Sequence, residues 1–274
     1  MKKYFGVNEL KVIILAAGEG KRLRPLTKNI PKTMVKLFDM SLLERQIDVF
    51  KKCGIDDIVV VGGYKDEAIN VTNIKKYRNL NYDSTNMVET LFCVKDELYD
   101  DTIISYGDII FEKEVLQSLI NSNEDFSVIV DKNWEKYWEI RFDNPLEDAE
   151  SLKLDNKNNI LEIGQNVKNI KEIQGQYIGL MKFQKKGVKT IKEFYEKTKE
   201  KSKNNKNPLN SNLPFKESYM TDFIQGLIHH GCKIKAILIK GGWLELDTID
   251  DYEMYNKMYQ ENKLSEFIKL EKKQ

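Results

Sequence analysis

Residues 12–36, which read VIILAAGEGKRLRPLTKNIPKTMVK, constrain the fold of this chain more than any other stretch. The stretch begins with a short, branched, apolar run from Val12 to Leu15, which is typical of a fully buried strand. The run ends in a turn with Gly18 and Gly20, where the absence of side chains lets backbone N–H groups approach phosphate oxygens closely. The pattern therefore predicts a buried strand and then a turn that can bind phosphate groups.

Basic side chains follow the glycine turn. Lys21, Arg22 and Arg24 come directly after it, and Lys32 follows a proline that keeps its segment extended. The stretch lacks a GxxxxGK(S/T) sequence, and Leu23 stands where a dinucleotide-binding fingerprint has its third glycine. We interpret the stretch as a polyphosphate site of another kind. The alternative is an ordinary strand-to-loop transition with a solvated basic patch.

The composition limits the class of protein. With 274 residues, of which 41% are hydrophobic, the chain is long enough for one large α/β domain with a proper core. Its 44 Lys and Arg residues nearly balance 43 Asp and Glu residues, so we expect neither nucleic acid nor a membrane as a partner. Three scattered cysteines, Cys53, Cys93 and Cys232, fit buried or incidental thiols of a cytoplasmic protein.

Strand and helix patterns alternate along the rest of the chain. Helices are expected over residues 41–54, within 65–80, and over 87–98, 185–201 and 218–230. Strands are expected over residues 57–61, 102–108, 126–131, 175–183 and 233–240, with a hairpin over 152–164. The polar residues 201–215 should form a mobile loop, and the lysine-rich end from Lys263 a solvated helix face. This alternation predicts an α/β fold.

The combination of AAGEGKRLRPLT with the later PKTMVK resembles the signature of the nucleotidyltransferases that activate sugar and choline phosphates. The resemblance implies a Rossmann-like nucleotidyltransferase fold, with a mixed central sheet flanked by helices. It also implies a single domain, residues 1–274. Its nucleotide-binding half would span about 11–110, and its acceptor-binding half, with the second metal ligand, about 126–247.

The same resemblance implies roles for individual residues. Asp108 in SYGDIIF and Asp247 in LELDTIDDY match the family's two metal-binding aspartates, so together they would hold Mg²⁺. Arg22 and Lys32 would be the catalytic residues that compensate charge on the triphosphate. An aspartate at a strand end is otherwise usually a turn or cap residue.

The nucleotide is expected to contact the glycine turn, the end of the second strand and the start of the helix over 87–98. These residues are Leu15, Ala16, Ala17, Gly18, Glu19, Gly20, Lys21, Gly62, Ser84, Thr85 and Asn86. For Asn86 the alternative is a helix cap, because Glu89 follows it at capping-box spacing. The two roles are compatible, since a helix N-terminus also presents free N–H donors.

Several further stretches, among them STNMVETLFC, QGQYIGLMKF and GGWLELD, resemble bacterial cytidylyltransferases that act on phosphocholine or phosphoglutamine. The resemblance implies transfer of CMP from CTP to a small phosphorylated or phosphonylated amine or amino acid, for decoration of capsules or surface glycans. A sugar-1-phosphate nucleotidylyltransferase that uses UTP or dTTP is one alternative, and a non-catalytic sensor or scaffold is another. Residues 1–10 and the loop near Asn204 depart from the family pattern, which leaves the oligomeric state open, a homodimer included.

Aromatic side chains recur in the acceptor-binding half. Trp134, Tyr137 and Trp138 are spaced at i, i+3 and i+4, and they are interleaved with the acidic residues Asp131, Glu135 and Glu139. They form either an aromatic stripe against the core or a receptor for an ammonium group, which gains up to about 2 kcal/mol over a desolvated indole face. In the second interpretation Arg141 binds the acceptor's phosphate or carboxylate, and Gln176 and Tyr177 line the same pocket.

Overall fold

A computed structural model describes residues 10–99 and 101–270. Within these ranges the strands are β1 (Lys11–Ala16), β2 (Lys36–Leu37), β3 (Met40–Ser41), β4 (Asp57–Gly62), β5 (Lys75–Arg78), β6 (Thr102–Tyr106), β7 (Ile109–Phe111), β8 (Phe126–Asp131), β9 (Glu150–Leu154), β10 (Ile160–Asn166), β11 (Gln176–Phe183), β12 (Lys235–Ile239) and β13 (Trp243–Glu245). The α-helices are α1 (Leu42–Lys52), α2 (Met87–Phe92), α3 (Lys113–Ile120), α4 (Trp134–Arg141), α5 (Lys186–Ser202), α6 (Met220–His229) and α7 (Ile249–Gln260). Residues 1–9, most of the N-terminal segment that departs from the family pattern, lie outside the described residues.

The central sheet contains seven strands in the order β12–β8–β11–β6–β1–β4–β5. Strand β11 runs antiparallel to both of its neighbours, β6 and β8. The other neighbouring strands pair in parallel. This arrangement confirms the predicted α/β class and the mixed central sheet.

The register of the central strands places three loops side by side. Ala16 at the end of β1 pairs with Gly62 of β4, and Leu15 pairs with Tyr106 at the end of β6. The N–H of Gly107 donates to the carbonyl of Leu15 at 2.9 Å. The glycine turn, the end of β4 and the loop with Asp108 therefore share the carboxyl edge of the sheet, where ligands of open α/β sheets bind.

Alternating side chains of the central strands fill two separate cores. Val12 and Ile14 of β1 lie in the cluster covered by α1, α3, α4 and α7. Ile13 and Leu15 lie in the opposite cluster, covered by α2, α5 and α6. Because both faces of β1 are buried, its sequence is a continuous apolar run rather than an alternating one.

A short antiparallel ladder outside the central sheet joins two distant parts of the chain. In it, Trp243, Leu244 and Glu245 of β13 pair with Phe111, Ile110 and Ile109 of β7. The N–H of Leu246 adds a hydrogen bond of 3.0 Å to the carbonyl of Asp108. This ladder brings the loop after β6 next to the segment that precedes α7.

Two helix predictions are wrong in part. Residues 65–80 form one 3₁₀ turn, Asp66–Ala68, before β5. Lys65 and Asn73 have positive φ angles of 47° and 60°, so a right-handed helix can include neither of them. The helix predicted over 87–98 ends as α2 at Phe92, and a 3₁₀ turn, Lys95–Glu97, follows it.

The polar segment 201–215 has no strand or α-helix after Ser202, as predicted, but its side chains anchor it. The Asn207 amide donates to the Ser218 hydroxyl at 2.8 Å, and the Asn210 amide donates to Asp222 at 3.1 Å. Its mobility stays a prediction.

The prediction of a solvated helix face after Lys263 is wrong for residues 263–270. Leu264 and Ile268 are buried in the core that α7 covers, and the only helical element among the described residues from 263 to 270 is the 3₁₀ turn Leu264–Glu266. The three cysteines are free thiols, of which Cys93 is exposed and the other two are partly exposed. Among the described helices, none is both long enough and apolar enough to cross a bilayer.

Asp131, the last residue of β8, is fully buried and fixes the segment before β13. Its carboxylate accepts hydrogen bonds from the N–H of Asn133, the N–H of Gly241 and the indole N–H of Trp243, at 2.8–2.9 Å. We expect Asp131→Ala to lower the free energy of unfolding by about 3 kcal/mol, because three donors lose a charged acceptor. Urea denaturation measures this loss.

Asp56→Ala is the control, since Asp56 is exposed, and it should change the free energy of unfolding by less than about 0.5 kcal/mol. A loss for Asp131→Ala as small as that of the control would contradict the anchoring role.

Candidate active site

The glycine turn after β1 combines open space with a tight bend. A Cβ placed on Gly18 would meet no atom within 4 Å. Gly20 has a φ of 66°, in the left-handed region, and a Cβ there would lie 3.0 Å from the Cβ of Lys32. Gly18 thus leaves room for a ligand, while Gly20 allows the chain to turn and Lys32 to pack against it.

A cavity opens next to this turn, at the carboxyl edge of the sheet. Lys32 and Asp108 line it. Six of the predicted nucleotide contacts line it as well: Leu15, Ala16, Ala17, Gly18, Thr85 and Asn86. The structure therefore brings together the glycine turn, the start of α2 and one predicted metal ligand around a single space.

The other predicted nucleotide contacts, Glu19, Gly20, Lys21, Gly62 and Ser84, do not line that cavity. The Glu19 carboxylate forms ion pairs with Arg24 and Lys21 within the turn. Gly62 packs against the chain instead, because a Cβ there would lie 2.7 Å from the Cβ of Asp66. Ser84 faces a wider neighbouring groove of about 840 Å³, which is lined by neither Asp108 nor Asp247.

Asn86 is a helix cap, but not through the predicted capping box. Its side-chain oxygen accepts from the N–H of Met87 at 2.8 Å. Its own N–H donates to the carbonyl of Lys216 at 2.9 Å. Glu89 binds Lys199 and the Tyr195 hydroxyl rather than the cap. Asn86 is thus fixed in place at the wall of the cavity.

The predicted catalytic and metal-binding residues meet at the mouth of this cavity. The Lys32 ammonium lies 2.8 Å from Asp108 Oδ2 and also pairs with Asp247 Oδ1. The Arg22 guanidinium, 62% exposed, is 3.4 Å from the same Oδ1. Glu245 joins them, since one oxygen from each of Asp108, Glu245 and Asp247 lies within 4.8 Å of the others.

Sequence reasoning missed Glu245, although a signal was present. It precedes Asp247 by two residues in an extended segment, and alternate residues of a strand point to the same side.

The charged groups of this cluster shift the pKa values of one another. Burial alone would lower the pKa of Lys32, but the carboxylates of Asp108, Asp247 and Glu245 raise it above its usual value. Burial alone would raise the pKa of Asp247, but the Lys32 ammonium brings it below its usual range. Glu245 has a raised pKa because it is desolvated and lies beside Asp247. Lys32 and Asp247 are therefore both charged at neutral pH.

The carboxylate cluster fits a divalent cation. Oδ1 of Asp108 is buried and has no hydrogen-bond partner, which is rare for a carboxylate oxygen. Three carboxylates at this spacing form the hard-oxygen donor set that Mg²⁺ prefers.

The predicted ammonium receptor of α4 is not formed. Trp134 and Trp138 are only 3% and 4% exposed and belong to the core, and the Trp138 indole N–H donates to Asp148 Oδ2 at 3.1 Å. The side chain of Arg141 is fully buried, and its donors are taken by Glu245 and Asp251. The other interpretation, an aromatic stripe against the core, agrees with this packing.

The two remaining acceptor predictions have different outcomes. Gln176 is 6% exposed, and its amide forms hydrogen bonds with both backbone groups of Glu150, which joins β11 to β9. Tyr177 keeps partial exposure and lies edge-to-face with Tyr106, a residue of the cavity, at 5.7 Å between ring centres. Burial raises the pKa of Tyr177, as do the carboxylates of Asp108 and Glu150. Tyr177 is therefore close enough to both Asp108 and Glu150 for each carboxylate to influence its hydroxyl.

An open glycine turn beside clustered carboxylates, on the edge of a mixed sheet, is the arrangement expected of a nucleotidyltransferase. The family model of the MobA-like NTP transferase domain matches residues 12–161, more than half of the chain. The chain belongs to this family, which confirms the predicted enzyme class.

Two relatives of this chain are named as cytidylyltransferases. The CTP:phosphoglutamine cytidylyltransferase of Campylobacter jejuni is 41% identical over 257 residues, which cover 89% of this chain and 98% of that protein. The choline-phosphate cytidylyltransferase of Streptococcus pneumoniae is 35% identical over 117 residues, which cover 41% of this chain and 51% of that protein.

A solved structure of the CTP:phosphocholine cytidylyltransferase from Streptococcus pneumoniae matches with a TM-score of 0.70. It covers 92% of this chain and 99% of that one, at 21% identity, and so shows the shared fold. The prediction of the Rossmann-like nucleotidyltransferase fold is confirmed.

Proposed function

We propose that this protein is a cytidylyltransferase. It transfers CMP from CTP to a small phosphorylated or phosphonylated amine or amino acid, such as phosphoglutamine or phosphocholine, and releases pyrophosphate. The observation that carries nucleotidyl transfer is the contact of Lys32 with both Asp108 and Asp247 beside the cavity. The 41% identity to a CTP:phosphoglutamine cytidylyltransferase, along nearly the whole chain, supports CTP as the donor and an acceptor of this class.

In this reaction a phosphate oxygen of the acceptor attacks the α-phosphorus of CTP, and the bond to pyrophosphate breaks. All the reactants are anions, so charge compensation and alignment dominate catalysis. Arg22 and Lys32 supply positive charge at the mouth of the cavity, and Gly18 leaves space for phosphate groups near the backbone. No side chain has to act as an acid or a base.

We propose Mg²⁺ as the cofactor, held by Asp108 and Asp247, with Glu245 as the third carboxylate of the cluster. When bound, the metal compensates charge on the phosphates. The base of CTP would lie near Thr85 and Asn86, whose positions the cap of α2 fixes.

The acceptor would lie on the Tyr177 side of the carboxylate cluster. There the surrounding protein desolvates the Glu150 carboxylate and, with the carboxylates of Asp148 and Asp222, raises the pKa of Glu150 to about 7. The residue keeps contact with solvent, so a ligand can reach it. An acidic environment of this kind favours an acceptor that carries an ammonium group.

The proposal includes a cytoplasmic location and a role in supplying CMP-activated groups for capsules or surface glycans. The oligomeric state is left open.

Pyrophosphate release, measured for each pair of donor and acceptor, tests the proposal. The donors are the four ribonucleoside triphosphates and dTTP. The acceptors are phosphoglutamine, phosphocholine, 2-aminoethylphosphonate and glucose 1-phosphate. We expect the highest kcat/KM for CTP with an amine-bearing or amino-acid acceptor. Glucose 1-phosphate with UTP or dTTP as the best pair would contradict the proposal, as would the absence of turnover with every pair.

Asp108→Asn tests the metal site. We expect kcat with Mg²⁺ to fall about 100-fold or more, the usual size for removal of one preorganised electrostatic group. Asp56→Asn, at an exposed position, is the matched control and should leave kcat unchanged. If turnover with Mg²⁺ is unaffected in Asp108→Asn, the metal assignment is wrong.

The raised pKa of Glu150 predicts that acceptor binding depends on pH. Its carboxylate loses its proton as the pH rises through about 7, and the anion then attracts an ammonium group. The KM of an amine-bearing acceptor should therefore fall between pH 6 and 8, about the range over which such a group titrates.

Glu150→Gln should remove this dependence. The acceptor's own phosphate also titrates in this range, with a second pKa of about 6, so the difference between the two proteins is the measurement. Glucose 1-phosphate, which has no ammonium group, is the control acceptor. Equal pH profiles for the two proteins with phosphocholine would exclude Glu150 from acceptor binding.

A further inference from the structure

Arg141, the last residue of α4, carries a charge in a place that water does not reach. Its side chain is 0% exposed. The rings of Tyr137, Trp138 and Phe142 surround the guanidinium at 5.2–5.5 Å from their centres. A buried cation of this kind is tolerated only when carboxylates compensate it. It is also out of reach of any ligand in the cavity.

One guanidinium contacts three carboxylates of a single segment. Its Nε and Nη2 lie 2.9 and 3.3 Å from the two oxygens of Asp251, an arrangement that uses the planar fork of arginine. Its Nη1 donates to Glu245 at 3.0 Å, and its Nη2 is 3.5 Å from Asp247 Oδ2. Two of these three carboxylates belong to the proposed metal site.

Asp251, which Arg141 contacts, also accepts hydrogen bonds from the backbone at Asp247. Oδ2 of Asp251 accepts hydrogen bonds from the N–H of Asp247 at 3.0 Å and of Thr248 at 2.9 Å. The Thr248 hydroxyl completes a capping box at the start of α7. Arg141 therefore holds Asp247 both directly and through its main chain.

The two carboxylate oxygens of Asp247 contact different cations. Oδ1 contacts Lys32, which lines the open cavity, and Arg22, whose side chain is mostly exposed. Oδ2 faces Arg141, in the closed core. The guanidinium thus fixes the rotation of this carboxylate, so that one defined oxygen points towards Asp108.

We propose that Arg141 is a positioning residue that orients Glu245 and Asp247 for a divalent cation, an inference that rests on the proposed metal site. It does not touch substrate. Partners that orient metal ligands from behind typically contribute 10- to 100-fold to metal affinity or activity.

The experiment compares Arg141→Lys with Arg45→Lys. Arg45 on α1 is a matched control, because it is also mostly buried, 11% exposed, and it pairs with Asp39 at 2.7 Å and with a backbone carbonyl, outside the carboxylate cluster. Binding of Mn²⁺, a paramagnetic substitute for Mg²⁺, is titrated by electron paramagnetic resonance. Urea denaturation of each variant shows how much stability it loses.

We expect Arg141→Lys to weaken Mn²⁺ binding about 10-fold, and Arg45→Lys to change it less than about 2-fold at comparable stability. A lysine keeps the charge but cannot span Asp251, Glu245 and Asp247 at once. Asp251→Asn, which breaks the same fork from its other end, should weaken Mn²⁺ binding in the same direction. It is the second variant should Arg141→Lys fail to fold.

The outcomes distinguish failure of the positioning role of Arg141 from failure of the proposed metal site. Unchanged or tighter Mn²⁺ binding in folded Arg141→Lys or Asp251→Asn would overturn the positioning role alone. Wild-type protein that shows no saturable Mn²⁺ binding would overturn the metal site itself, and the role of Arg141 with it.

Discussion

The pairing of β7 with β13 is the constraint on which the site depends. Three residue pairs and the hydrogen bond from the Leu246 N–H to the Asp108 carbonyl join two segments that belong to opposite halves of the chain. Neither aspartate could be held near the other by local structure, because each lies in a loop. The backbone ladder fixes the distance between the two loops, and the Lys32 ammonium then compensates the repulsion between their carboxylates. Any change that separates this ladder therefore separates the charges.

The cations around Asp247 have different access to solvent, and this difference separates their roles. Arg22 is 62% exposed, Lys32 is 13% exposed and Arg141 is fully buried. An exposed guanidinium is free to reorient towards a phosphate, whereas one that is bound to three carboxylates in a dry core is not. The structure thus combines cations that can meet a substrate with one that keeps the carboxylates in place.

Much of the N-terminal half could be predicted because its structural information is local. The run from Val12 to Leu15 and the glycine turn determine a strand, a bend and open space within a few residues, and Asp108 follows a strand whose end the sequence marks clearly. The role of Arg141 could not be found in this way. Its sequence neighbours are aromatic and acidic, as in a receptor for a substrate, but its partners Glu245 and Asp251 lie on another segment that only the tertiary fold brings close. Periodicity shows which face of α4 is aromatic, but not which element covers that face.

Burial of the α4 aromatic face limits where the proposed acceptor can bind. The tryptophans predicted to contact the acceptor instead pack in the core, where Trp138 lies 6.1 Å from Trp243 between ring centres and 5.5 Å from the Arg141 guanidinium. Substitutions there would disturb the proposed metal site and the core together, so we expect these positions not to vary freely with the acceptor. The side chains near Tyr177 and Glu150 are less constrained, since Glu150 is exposed at the start of β9 and Tyr177 is partly exposed. Discrimination between the proposed acceptors is therefore expected to depend on β9 and the start of β11, while α4 supports the carboxylate cluster through the contact of Arg141 with Glu245.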